Sequence, residues 1–308
     1  MLRVDVDIFS GRPNPAWIIT DEDAARELLS TVSEAQNEVV GLKGQGYDGL
    51  GYREVVVSSI GDDDGTWPDH LPRSFALGTI NARDLTQSGE LARRIVEDMT
   101  RYAGIHLLEH ASTPIDAHLR DVVLEQLERF LHDPPDWFRP PLEPRPNPLR
   151  TTVRDQRCEH CAYEVSQFNP NFWNRPAVQP RNNCYNYARN WRTDTFAQPG
   201  RAHGAQAGVM ACANVTTAAL ADGLHRRCEC LSDDEYPRRL TALVVWPDED
   251  YHWYREQRGG FWGHKPGNTA ARNHDGKNNL ITDPESCDRG GYTDFCGYFY
   301  AGRSVVIN

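Results

Sequence analysis

The stretch Gln179-Pro-Arg-Asn-Asn-Cys184-Tyr-Asn-Tyr-Ala-Arg189 passes from a loop rich in Pro and Asn into residues able to continue as a helix. A thiol at a helix start faces unpaired N–H groups and the positive end of the helix dipole, both of which favour the thiolate. Two histidines follow in an aromatic stretch, His252 in Asp250-Tyr-His-Trp-Tyr-Arg and His264 in Gly260-Phe-Trp-Gly-His-Lys-Pro-Gly. A thiol, a base for it and a residue to orient that base are the parts of a nucleophilic site.

Around this stretch the second half of the chain reads as helix followed by strands. A second helix is expected at 205–221, which is rich in Ala with Gly223 as its stop. Strands are expected at 240–246, 252–254, 260–264 and 280–282. The interval from His252 to His264 fits two adjacent antiparallel strands joined by a Glu256-Gln-Arg-Gly-Gly260 turn, which would set the two rings side by side.

A cysteine at a helix start, another helix, a strand carrying His and a neighbouring strand carrying a second polar residue follow in this order. In it the chain resembles the papain-like superfamily, and within it the NlpC/P60 branch, over roughly residues 175 to 285. The resemblance implies a papain-like domain at 151–308, with the helix-borne cysteine packed on an antiparallel sheet. It makes Cys184 the nucleophile, His252 the base and His264 the orienting residue, with Gln179 placed like the oxyanion-hole glutamine of papain-like enzymes. Asn182 and Asn183 compete with Gln179, and Asp275 and Asp283 compete with His264. The expected activity is thiol-dependent hydrolysis or acyl transfer at an amide or peptide bond, with no cofactor. Where the family shows Asp-Cys-Ser-Gly, this chain has Asn183-Cys184-Tyr185-Asn186, which weakens the implied peptide substrate.

The first half is read as a small α+β module at 1–133. It opens with a strand at 3–9, the turn Ser10-Gly-Arg-Pro-Asn-Pro15, and a helix begun by Thr20-Asp-Glu-Asp23. Further strands are expected at 54–60 and 74–80, and helices at 90–110 and 115–132. Residues 134–150 are too rich in proline for a helix or central strand and read as a semi-rigid spacer, with Trp137, Phe138 and Leu142 docked on a neighbour. The whole is thus a two-domain α+β chain, whose first module would target, inhibit or position, by way of a protein partner.

Composition narrows the alternatives. Over 308 residues, 39% hydrophobic and 25% charged residues are ordinary for a soluble globular protein, and a net charge of −11 argues against nucleic-acid binding. No run approaches a membrane span, and the first residues lack the pattern of a signal peptide, so a cytoplasmic location is the default, with non-classical export leaving no readable mark. The loop at Lys265-Pro-Gly-Asn-Thr269 is not a phosphate loop. Trp253, Tyr254, Phe261 and Trp262 are divided between core and cleft wall.

All eight cysteines lie at or beyond Cys158. Cys212, among Val209-Met-Ala-Cys-Ala, reads as core. The pairs Cys158-x-x-Cys161 and Cys228-x-Cys230 could make a four-thiolate zinc site, with His160 as a substitute ligand, or could hold free or paired thiols. His106-Leu-Leu-Glu109-His110 matches the inverted zinc-protease pattern, yet it reads more simply as an exposed helix face. The reading set against the enzyme is a non-catalytic ligand- or protein-binding protein whose cysteines are structural.

Overall fold

Leu2, Val4 and Val6 alternate with Arg3 and Asp5, the period-2 pattern that buries one face of a strand. In the computed structural model, which describes residues 1–61, 67–103, 113–135 and 151–308, they form β1 (Leu2–Asp7). Contacts divide the chain into two units, Met1–Phe9 with Pro13–Asp136, and Ser10–Arg12 with Trp137–Asn308. Both mix helices with antiparallel sheets, and the fold class is α+β. Residues 136–150 of the proline-rich spacer, with Trp137, Phe138 and Leu142, lie outside the described residues, as do His106, Glu109 and His110.

In the first unit β1 pairs antiparallel with β2 (Ala16–Ile19) and β3 (Glu54–Ser59), and β4 (Ser74–Leu77) extends β3, giving the order β2-β1-β3-β4. Helix α1 (Glu22–Glu34) starts where the Asp21 carboxylate accepts from the N–H groups of Asp23 and Ala24, and it buries Ala25, Leu29 and Val32. A short α2 (Gln36–Val39) follows, then α3 (Leu85–Glu97) and α4 (Ala117–His132), capped by Asp84 and Asp116 respectively. The helix expected at 90–110 therefore starts five residues earlier, at Leu85, and gives way to a 3-10 turn at Met99–Tyr102.

Two buried charges organise this unit. Arg53 donates to Asp7 Oδ1 at 2.6 Å and to the carbonyls of Phe9, Gly49 and Gly51, so its guanidinium is held by one carboxylate and three loop oxygens. Glu54 accepts from the Gly44 N–H at 2.8 Å. Burial and the nearby Asp7 charge raise its pKa to about 7.

The described part of the second unit opens with the hairpin β5 (Thr151–Arg154) and β6 (Ala162–Val165), then reaches α5 (Cys184–Arg189) and α6 (Cys212–Ala221). Its main sheet contains β7 (His225–Arg226), β8 (Arg239–Trp246), β9 (Asp250–Gln257), β10 (Phe261–His264) and β11 (Asp294–Ala301). The order is β10-β9-β8-β11-β7, antiparallel throughout. The central β8 and β9 are buried along nearly their whole length, and Leu243, Val245, Trp253 and Phe299 share a core with Cys184, Tyr185 and Val215 of the two helices.

Three expectations change here. The predicted strand at 280–282 is only an isolated bridge between Leu280 and His274. The helix expected at 205–221 begins only at Cys212, which is half-buried and disulfide-bonded to Cys296 rather than a core thiol. Ser10–Arg12, read as part of the first module's turn, belong to the second unit, because their backbone N–H groups bind Asp250.

The raised pKa of Glu54 sets a pH dependence for the first unit. The folded state holds this proton more tightly than the unfolded chain, so the stabilisation is complete below about 4.5 and is lost as pH rises through about 7. The protection of the β1 and β3 amides against hydrogen exchange, taken relative to their intrinsic exchange rates at each pH, should fall between these pH values, and Glu54→Gln, which keeps an acceptor for Gly44, should abolish that fall.

Candidate functional site

Asn183 makes the turn into α5. Its side-chain oxygen accepts from the Tyr185 and Asn186 N–H groups, while Asn186 Oδ1 accepts from the Asn183 N–H, a reciprocal capping box. The Asn183 amide donates to the carbonyls of Gly11 and Ala197, and the Asn182 amide donates to Val178 O and Asp194 Oδ1. Both asparagines, read from sequence as oxyanion candidates, thus hold loops. Gln179 lies in a 3-10 turn, where its carbonyl accepts from Lys265 Nζ at 2.6 Å.

Lys265 is fully buried and reaches three carbonyls, Gln179, Asn182 and Gly267. A buried ammonium needs this much compensation to remain charged. Its bonds join the loop before α5 to the loop after β10.

Asp250 is gripped from all sides. Its carboxylate accepts from the backbone N–H groups of Ser10 (2.6 Å), Gly11 (3.1 Å) and Arg12 (2.8 Å), and from the Tyr292 hydroxyl at 2.5 Å. Gly11 is required here, because a Cβ at that position would strike the Tyr251 carbonyl and ring. The Ser10 hydroxyl lies 2.8 Å from Tyr292 Oη and 3.0 Å from His252 Nδ1. Sequence reading missed Ser10 and Tyr292, and no local pattern marks them, since Ser10 and Asp250 stand 240 residues apart.

The β9–β10 register places His264 opposite Tyr254, two residues along from His252 and on the same face. The rings meet edge to face, with His252 Nε2 2.8 Å from His264 Nδ1. His264 Nε2 sits 3.0 Å from the His274 carbonyl, which only accepts, so Nε2 carries a proton. Burial, with Arg272 and His274 nearby, lowers the pKa of His264 to about 3, so this ring is neutral and its Nδ1 accepts from His252. A continuous hydrogen-bonded line therefore runs from Asp250 through Tyr292, Ser10, His252 and His264 to His274. Asp275 and Asp283 serve elsewhere: Asp275 caps the N–H groups of Lys277, Asn279 and Asp288, and Asp283 binds Glu285 N, Ser286 and Tyr298.

Cys184 is fully buried in the shared core. Burial and then the Asp250 charge push its thiol well above the ordinary range, outweighing the Trp253 backbone bond and Lys265, which act the other way. The helix start at the six-residue α5, which favours the thiolate, thus works against a larger effect of burial on the same thiol. Trp253 and Tyr254 are core residues rather than cleft wall. A surface hollow of about 290 Å³ lies elsewhere in this unit, against Ala213, Asn214 and Thr217, and is lined by no titratable side chain.

Six of the eight cysteines are bonded, as Cys158–Cys228, Cys161–Cys230 and Cys212–Cys296. The C-x-x-C and C-x-C pairs meet as two disulfides, not as a zinc site. Cys184 and Cys287 remain thiols. Among the described residues no helix is long and apolar enough to cross a membrane.

Comparison with known proteins bears on the hydrolase reading. The chain is 46% identical over 143 residues to insoluble matrix shell protein 1 of Ruditapes philippinarum, an alignment spanning 95% of that protein and 46% of this chain. The chain belongs to the family of that protein. No family model matches it, and no solved structure does. A matrix protein as relative, together with the disulfides, overturns the expectation of a thiol-dependent hydrolase or cysteine peptidase acting through Cys184, His252, His264 and Gln179.

Two outcomes test this geometry. A neutral buried His264 binds its proton less tightly than the unfolded chain, so its contribution to stability is present above about 6.5 and is lost as pH falls toward about 3. In His264→Gln, acid unfolding of the second unit, followed by hydrogen exchange in β9, should shift to lower pH. Lys265→Met strands three carbonyls and should cost about 2–4 kcal/mol in urea unfolding.

Proposed function

We propose that this chain is a non-catalytic structural or binding protein whose second unit is locked by disulfides for use in an oxidising environment. The observation that carries the reading is the 46% identity to a shell matrix protein across 95% of that protein's length. Three disulfides support it, since they close loops of 69 to 84 residues and such bonds persist outside the reducing cytoplasm. The location is accordingly extracellular or another oxidising compartment, in place of the cytoplasmic default.

The buried network fits a structural role. Asp250, His252, His264 and Cys184 are each at most 1% exposed, so no substrate carbonyl reaches the thiol in this conformation. Buried, fully connected polar networks specify one packing of a core. The order of a helix-borne cysteine before an antiparallel sheet with paired histidines supports a papain-like arrangement of this unit, kept as a scaffold without the chemistry.

A thiol census separates this reading from the enzyme. Iodoacetamide applied to the native protein at neutral pH should leave Cys184 unmodified, with Cys287, whose pKa burial raises to about 11, reacting slowly at most. Non-reducing peptide mapping should recover the three bridges. Selective alkylation of Cys184 that persists below the ~8.5 of a free thiol would sink the proposal.

A further inference from the structure

The hairpin from β5 to β6 turns through Asp155, Cys158 and Cys161, with the Cys161 N–H donating to Cys158 O at 2.8 Å and the Asp155 N–H to Cys161 O at 2.9 Å. Cys158 and Cys161 are therefore the ends of one tight turn, with Cα atoms less than about 7 Å apart. Facing them, Cys228 and Cys230 flank Glu229, and the segment is held by Arg227 N–H to Tyr298 O (2.9 Å) and Glu229 N–H to Arg226 O (3.0 Å). Across the two bridges the Cα atoms are 5.2 and 5.0 Å apart. Four sulfurs thus come from two short, independently braced segments held face to face. A tetrahedral zinc site asks for four sulfurs at about 2.3 Å from the metal, hence about 3.8 Å from one another.

Charges of both signs flank the four cysteines: Glu159 and Glu229 stand between the members of each pair, and Asp155 is ion-paired with Arg227 at 2.5 Å. Arg157 precedes Cys158 and Arg227 precedes Cys228, and both guanidinium groups lie over the Tyr298 ring, at 5.6 and 4.9 Å. Cys212 and Cys296 form a separate bridge that supplies only two sulfurs. In the oxidised state no group of three or more His, Cys, Asp or Glu among the described residues is arranged to hold a metal ion, as bonded sulfurs require.

We propose that Cys158, Cys161, Cys228 and Cys230, once reduced, bind one Zn²⁺ as a four-thiolate site, so that the β5–β6 turn and the Cys228–Cys230 segment are joined by metal in reducing surroundings and by two disulfides in oxidising ones. Two molecules of a dithiol reductant supply four electrons and four protons, giving four thiols and two cyclic disulfides. Zn²⁺ then replaces the four thiol protons. In the reverse direction two molecules of a small disulfide oxidant, such as glutathione disulfide, accept four electrons and four protons, leaving both protein disulfides, four small thiols and free Zn²⁺.

The test uses the full chain carrying Cys212→Ser and Cys296→Ser, reduced with a phosphine, desalted without oxygen and titrated with Co²⁺ and then Zn²⁺. One Co²⁺ per chain should bind, with thiolate-to-metal charge transfer and the visible bands of tetrahedral cobalt, and one equivalent of Zn²⁺ should displace it. The metal should shield the four cysteines from iodoacetamide, and glutathione disulfide should release it while restoring both bridges in the peptide map. Adding Cys158→Ser and Cys228→Ser should abolish binding. The proposal is overturned if the reduced chain, folded or unfolded by circular dichroism, takes up no stoichiometric metal. Metal uptake that survives the added serines, or that precedes reduction, overturns it equally.

Discussion

The second unit is arranged around one buried negative charge. Asp250 has no exposure to solvent, and a carboxylate in that position persists only if its lone pairs are filled. Three successive backbone N–H groups, Ser10 to Arg12, and the Tyr292 hydroxyl fill them. This requirement draws a three-residue piece of the N-terminal sequence into a sheet built from the end of the chain. Once Ser10 is in place, its hydroxyl meets His252, and the hydrogen-bonded line through His264 to the His274 carbonyl follows.

Burial, and after it the same charge, raise the pKa of the Cys184 thiol well above its ordinary range. A thiolate at Cys184 would sit beside Asp250 in a low-dielectric core, where like charges repel strongly and hydration is lost. Lys265 offsets part of this, but its three protons are already spent on carbonyls. Cys184, His252 and His264 all belong to the buried interior of the unit. Membership in the family of a shell matrix protein agrees with that outcome, and so do three covalent cross-links gathered in the same unit.

Much of the local structure was legible in the sequence. Asp21 announces α1, the apolar stripe of Leu119, Val123, Leu127 and Phe130 announces α4, and Gly259-Gly260, both with positive φ, announces the β9–β10 hairpin that brings the two histidines together. Other parts were not. Strand β11 carries Gly297 at a bulge opposite β8, which breaks the alternation that pattern reading needs. Two-residue β7 is too short to leave a pattern, and the C-x-x-C and C-x-C spacings are the same whether the sulfurs hold a metal or one another.

The sequence by itself determined the α+β class, the capped helices, the order of cysteine and histidines, and the gathering of all thiols in the second half. These rest on hydrogen bonds and side-chain periodicity acting over a few residues, so the local sequence contains their cause. Only the tertiary structure decided that Cys184 is buried beside Asp250, that Ser10 joins His252, and which cysteines bond. Each of those outcomes depends on groups brought together across 66 to 242 residues of chain, from Cys184 and Asp250 to Ser10 and His252, and desolvation and pairing at such contacts set charge and reactivity.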